Sequence, residues 1–102
     1  MGAGMQVVDQ PLDQTALGTK TVNTSWDNGT EFALPAGTIF CTVYVPGKTY
    51  LIADDSQDDP ADTPSAWGPE GSHKVPCNGK KYLHFKGGSG VSGEISVTAH
   101  HE

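Results

Sequence analysis

No arginine occurs in the 102 residues: the six basic side chains are all lysines, set against twelve acids for a formal net charge of −6. Phosphate backbones are held by clustered Lys and Arg, so this balance argues against a nucleic-acid partner. Lys74, Lys80, Lys81 and Lys86 form one local basic stretch, best read as exposed strand residues that keep sheet surfaces and edges from pairing with other chains. Long apolar runs are missing too. Nothing approaches the ~18 to 20 residues that cross a bilayer, and Met1, Gly2, Ala3, Gly4 and Met5 provide neither the basic start nor the apolar stretch of a secretory signal, so no membrane partner is expected. Cysteine is scarce. Cys41 and Cys77 allow one disulfide, but neither sits in a C-x-x-C pair, which argues against a zinc or redox motif. Without a secretory signal they read as reduced, half-buried thiols.

Apolar material is thin as well, at 35% of residues with a mean hydropathy of −0.39. A chain of this length hides roughly 60 to 70% of its extended surface on folding, enough for one modest core. Thirteen glycines and seven prolines make up about a fifth of the chain, favouring short strands and many turns over helices.

The organising stretch is residues 80–101. Residues 82–85 and 94–100 alternate apolar with polar side chains, the period-2 pattern of strands with one face in a core. Gly87, Gly88, Ser89 and Gly90 between them favour a reversal, giving an expected hairpin. Upstream, residues 38–45 are dense in β-branched and aromatic residues, with Ile39, Cys41, Val43 and Val45 expected on one face and Phe40, Thr42 and Tyr44 on the other, as suits a central strand. Further strands are expected at residues 21–26, 31–34, 49–53 and 72–77, with a two-residue hairpin turn at Asn78 and Gly79. About seven strands at roughly ten-residue spacing predict an all-β fold, an antiparallel β-sandwich or jelly-roll-like small barrel over residues 21–102. Residues 1–20 lack a sustained period and read as an extended or disordered N-terminal arm that is ordered by lying along a neighbour.

Chemistry is sparse. Asp54, Asp55, Asp58, Asp59 and Asp62 invite a calcium ion, but their spacing is not that of an EF-hand loop, and a solvated acidic surface loop accounts for them. His73, His84, His100 and His101 raise a metal site of cupin type, with His84 and His100 outward on neighbouring strands; the closely spaced His and following Glu of that family are missing. No G-x-S-x-G elbow is present, and so little apolar content argues against a water-excluding pocket, so no enzyme is expected and no catalytic residue is assigned. Trp26 and Trp67 are the candidate sugar-stacking platform or interface anchors, against the plainer role of covering the open ends of a small core. Tyr44 and Tyr50 join them in a carbohydrate-binding reading.

The turn at residues 45–50 (Val-Pro-Gly-Lys-Thr-Tyr), the strand entry at Gly71, Ser72 and His73, and the ending at residues 82–88 followed by residues 92–98 resemble the small all-β accessory proteins of tailed-phage virions, in particular head decoration proteins and related tail and fibre modules. That resemblance covers about half the chain. It implies a structural protein on the capsid exterior, assembled in the host cytoplasm, with the major capsid protein as partner and a trimer or dimer as oligomer, stabilising the shell without catalysis or cofactor. A carbohydrate-binding module or fibre-tip adhesion domain is the alternative.

Overall fold

Turn residues at nearly every tenth position cut the chain into short extended segments, and a computed structural model describes residues 12–24, 30–56 and 66–102 of it. Among these residues are eight strands and no helix: β1 (Asp13–Thr21), β2 (Thr30–Ala33), β3 (Thr38–Val45), β4 (Thr49–Asp54), β5 (Ala66–Gly68), β6 (Gly71–Pro76), β7 (Tyr82–Gly87) and β8 (Glu94–His101). They form two four-stranded antiparallel sheets, β1-β8-β3-β6 and β2-β7-β4-β5. The pairing is nested: β1 with β8, β2 with β7, β3 with β6 and β4 with β5. Pairing of β3 with β8 and of β4 with β7 completes each sheet. Every step along the chain therefore crosses to the other sheet except that from β4 to β5.

The crossings follow from the inward faces, which need each other. Cys41, Val43 and Val45 of β3, Val75 of β6, and Ile95, Val97 and Ala99 of β8 form one wall; Phe32, Leu51, Leu83 and Phe85 form the other. Phe32 and Phe85 meet edge to face, with ring centroids 5.7 Å apart at 84°, the geometry that aromatic quadrupoles prefer. Each such side chain contributes about 1.5–3 kcal/mol by leaving water. The β1/β2 side of the core is closed by polar bonds: Thr30 Oγ1 donates to the Thr21 carbonyl at 2.8 Å and Lys20 Nζ to the Glu31 carbonyl at 2.7 Å.

Several expectations change. The hairpin over residues 80–101 does not form, because β7 and β8 lie in different sheets. In their connection Gly88 N donates to the Lys48 carbonyl at 2.8 Å and Val91 packs so tightly on Gly47 that a Cβ there would stand 3.0 Å from a Val91 methyl, while a Cβ on Gly87 would stand 3.0 Å from a Val22 methyl. Asn78 and Gly79 do take positive φ values of 51° and 76°, but their turn carries the chain from β6 to the opposite sheet and joins no hairpin. Among the described residues the first strand is Asp13–Thr21, and residues 22–24 of the strand expected at residues 21–26 are not part of a strand, so the later part of the expected arm lies along β8 of the same chain. Residues 1–11 and the expected turn at residues 27–29 lie outside the described residues.

Within β3 the register against β8 shifts between Thr38 and Phe40, a bulge that turns Ile39 out to 39% exposure and buries Thr38. The remaining alternation, Cys41, Val43 and Val45 inward, is as expected, and β3 is central in its sheet. Cys41 and Cys77 are free thiols, fully buried rather than half-buried, with their sulfurs 3.5 Å apart. The hydrogen bond to Cys77, reinforced by burial, pushes the Cys41 thiol well above the ordinary thiol range. The same bond lowers that of Cys77.

Candidate functional site

Two outward surfaces carry the side chains able to meet a partner. The first is the outer face of the sheet containing β1. Strand alternation puts Phe40, Thr42 and Tyr44 of β3 on this face, between Lys74 of β6 and Thr98 and His100 of β8. Phe40 and His100 are direct cross-strand partners and stack at 4.2 Å and 13°. His100 Nε2 stands 2.9 Å from Thr42 Oγ1, and Lys74 Nζ lies 4.3 Å from the centre of the Phe40 ring, within cation–π range. These contacts immobilise one end of a flat, hydroxyl-rich face, while Tyr44 stays 41% exposed.

β1 extends this surface to the sheet edge. Eight of its nine residues are exposed and only Leu17 is half-buried, packing on the core. What holds it is the ladder to β8, interrupted by a bulge at Leu17, and side-chain ties such as Thr15 Oγ1 to His101 Nε2 at 2.9 Å. β8 is its one strand neighbour among the described residues, and among those residues β1 is an edge strand, the kind that can offer backbone donors and acceptors to a further strand.

The second surface is the outer face of the other sheet. Tyr50, 38% exposed, is here, with Lys86 Nζ 5.5 Å from its ring centre and the backbone of Trp67 paired opposite it. A depression beside it is lined by Thr24, Lys86, Gly88, Ser89 and Gly90. Tyr44 and Tyr50 thus face opposite sides of the molecule, and the four predicted aromatics do not make one platform. Trp26 lies outside the described residues.

The acidic stretch is partly structural. Asp54 ends β4 with 4% exposure, and its Oδ1 accepts the Ser56 N–H at 2.7 Å. Asp55 Oδ1 accepts the Lys81 N–H at 3.1 Å, and Asp55 Oδ2 sits 3.8 Å from Lys80 Nζ. Two of the five proposed calcium ligands are therefore engaged by protein donors; Asp58, Asp59 and Asp62 lie outside the described residues. The histidines do not converge either. His84 and His100 belong to different sheets; His84 Nε2 meets the Ser56 carbonyl and His73 Nε2 the Pro69 carbonyl. Among the described residues no three His, Cys, Asp or Glu side chains group as metal ligands do.

A slot of about 370 Å³ opens between β4 and β6, lined by Leu51, Ala53, Val75, Cys77, Asn78 and Lys80 among others. Beside it β5 pairs with residues Thr49, Tyr50 and Leu51 of β4. The Phe40, Thr42 and His100 cluster was foreshadowed only in half: alternation assigned Phe40 and Thr42 to one face, but nothing local identifies β8 as the neighbour that brings His100. Comparisons with protein-family models, with curated proteins and with solved structures find no match.

Proposed function

We propose that the chain is a jelly-roll structural protein that decorates the outside of a tailed-phage head, docking on the major capsid protein and stabilising the shell without catalysis. The nested pairing supports the fold half of this proposal. Folding an antiparallel ribbon in half pairs β1 with β8, β2 with β7, β3 with β6 and β4 with β5, and rolling the ribbon adds β3–β8 and β4–β7. Viral capsid and lectin domains use this arrangement. The observation that carries the assembly role is β1. Nine residues are held in an extended strand that is at the edge of its sheet among the described residues while burying little apolar surface of their own, and such an edge is suited to strand addition by a neighbouring subunit. The hydroxyl-rich face around Tyr44 continues the same surface.

The test is co-sedimentation of the purified chain with preassembled empty shells of a tailed-phage major capsid protein from the same source genome, together with the temperature at which those shells open. Saturable binding and a raised opening temperature are expected. Tyr44→Lys is expected to weaken binding at least tenfold, and deletion of residues 1–11 to weaken it without unfolding the sheets. No co-sedimentation at micromolar chain overturns the proposal.

A second proposal, glycan binding, draws support from the Tyr50 surface, where an exposed ring lies beside a glycine-rich depression and opposite the Trp67 backbone. Aromatic faces stack on sugar rings, and backbone amides serve their hydroxyls. A glycan array decides it: signal abolished by Tyr50→Ala supports it, and silence across the array removes it.

A further inference from the structure

We propose that Cys41 and Cys77 form a disulfide site built into the fold, in which an intramolecular bond staples β3 to the connection between β6 and β7. The sulfurs are 3.5 Å apart and both residues are fully buried. The segments that carry them are already fastened together. Cys77 N and Asn78 N donate to the Ile39 carbonyl at 2.8 and 3.1 Å, and Gly79 N donates to the Thr38 carbonyl at 2.8 Å. Cys41 itself is paired with Val75, two residues before Cys77. Closing to the S–S length of about 2.05 Å asks the two sulfurs to approach by about 1.5 Å. Two isolated buried thiols would pack as small hydrophobes; these two face each other across a span of 36 residues holding β4, β5 and β6. A bond closing so long a loop restricts the unfolded chain strongly.

The oxidant is a low-molecular-weight disulfide such as oxidised glutathione. One cysteine thiolate attacks a glutathione sulfur, which breaks the glutathione S–S bond and releases one glutathione thiolate. The second cysteine thiolate then attacks the protein sulfur of the mixed disulfide and releases the other. Two protein thiols are oxidised, one small disulfide is reduced, and the two protons pass through solvent to the two glutathione thiolates. Because both sulfurs are enclosed in the folded chain, the exchange takes place while the chain folds or when the turn at Asn78 and Gly79 opens. None of this depends on the docking or glycan proposals.

The experiment unfolds the full chain and refolds it in buffers ranging from reduced to oxidised glutathione, then reads intact mass, peptide linkage and Tm. Under oxidising conditions the expected product is a monomer lighter by two hydrogens, with the Cys41 and Cys77 peptides joined and Tm higher than the reduced chain by about 10 °C or more. Free thiols, glutathione adducts or cross-linked dimers in the oxidising buffer overturn the proposal, as does a joined monomer with Tm no higher than the reduced chain. The variant carrying both Cys41→Ala and Cys77→Ala is expected to melt at one temperature in both buffers. If its Tm shifts as much as that of the natural chain, the bond is not the cause and the proposal falls.

Discussion

His84 donates its Nε2–H to the carbonyl of Ser56, 2.7 Å away and 28 residues earlier in the chain. The imidazole is nearly fully buried although its strand neighbours Leu83 and Phe85 are the residues that line the core. On its other side Nδ1 is 3.8 Å from Glu31 Oε2, a buried oxygen with no hydrogen-bond partner. His84 thus ties the start of the acidic stretch to the sheet, and its removal leaves the Ser56 carbonyl unpaired beside an unpaired carboxylate. His84→Ala is expected to lower stability by about 1–3 kcal/mol, measured as the urea midpoint at constant m-value. An unchanged midpoint would mean that water serves the Ser56 carbonyl equally well.

Gly93 is expected to be the least replaceable turn glycine. Its φ is +130°, and a Cβ there would stand 2.7 Å from Pro46 Cβ, so an alanine meets both backbone strain and a fixed ring. Gly79, at φ +76°, has open space around the same hypothetical atom and meets strain alone, worth about 1–2 kcal/mol. In thermal melts Gly93→Ala should lose more than Gly79→Ala, and the reverse order would show that the Pro46 turn yields freely.

How far this architecture was legible depended on whether local chemistry settles the question. Residues 38–45 were readable because β-branched density is bracketed by Pro35 to Gly37 and by Pro46 to Lys48, and the strand ends where those turns begin. Where pairing is decided at a distance, local signs failed. Asn78 and Gly79 adopt the positive φ values of a hairpin turn yet lead into the opposite sheet, since a turn's dihedrals do not say which sheet receives the next strand. β1, with the sequence DQTALGTKT, has no apolar alternation to find; it is a strand because β8 supplies a ladder. β5 is three residues next to Pro69, too short to carry a period. The burial of His84 was likewise unreadable, because the Ser56 carbonyl that meets it lies 28 residues away in sequence.

β1 should open before the rest of its sheet. Its residues bury little beyond Leu17, whereas β3 is flanked by β8 and β6 and buries Thr38, Cys41, Val43 and Val45. Local opening energies follow buried contacts, so ladder amides of β1 should exchange with deuterium at least tenfold faster than those of β3. Equal protection would show that β1 unfolds only with the whole domain. In that case its edge is a permanent part of the sheet rather than a segment poised to re-pair.

Stability and docking should separate between Phe85 and Tyr44. Phe85 is fully buried, edge-on to Phe32 in the wall opposite β3 and β8, and Phe85→Ala removes both its transfer energy and its packing, a loss of about 3–5 kcal/mol. A domain of this size has only about 5–15 kcal/mol in all, so this variant should unfold at markedly lower urea concentration. Tyr44 has 41% of its surface in solvent and a side chain on the outer face, so Tyr44→Ala should move stability by no more than about 0.5 kcal/mol. If the outer face is the docking surface, shell binding falls in the Tyr44 variant while its urea midpoint holds, and a Tyr44→Ala chain that binds as well as the natural one excludes that face whatever its stability.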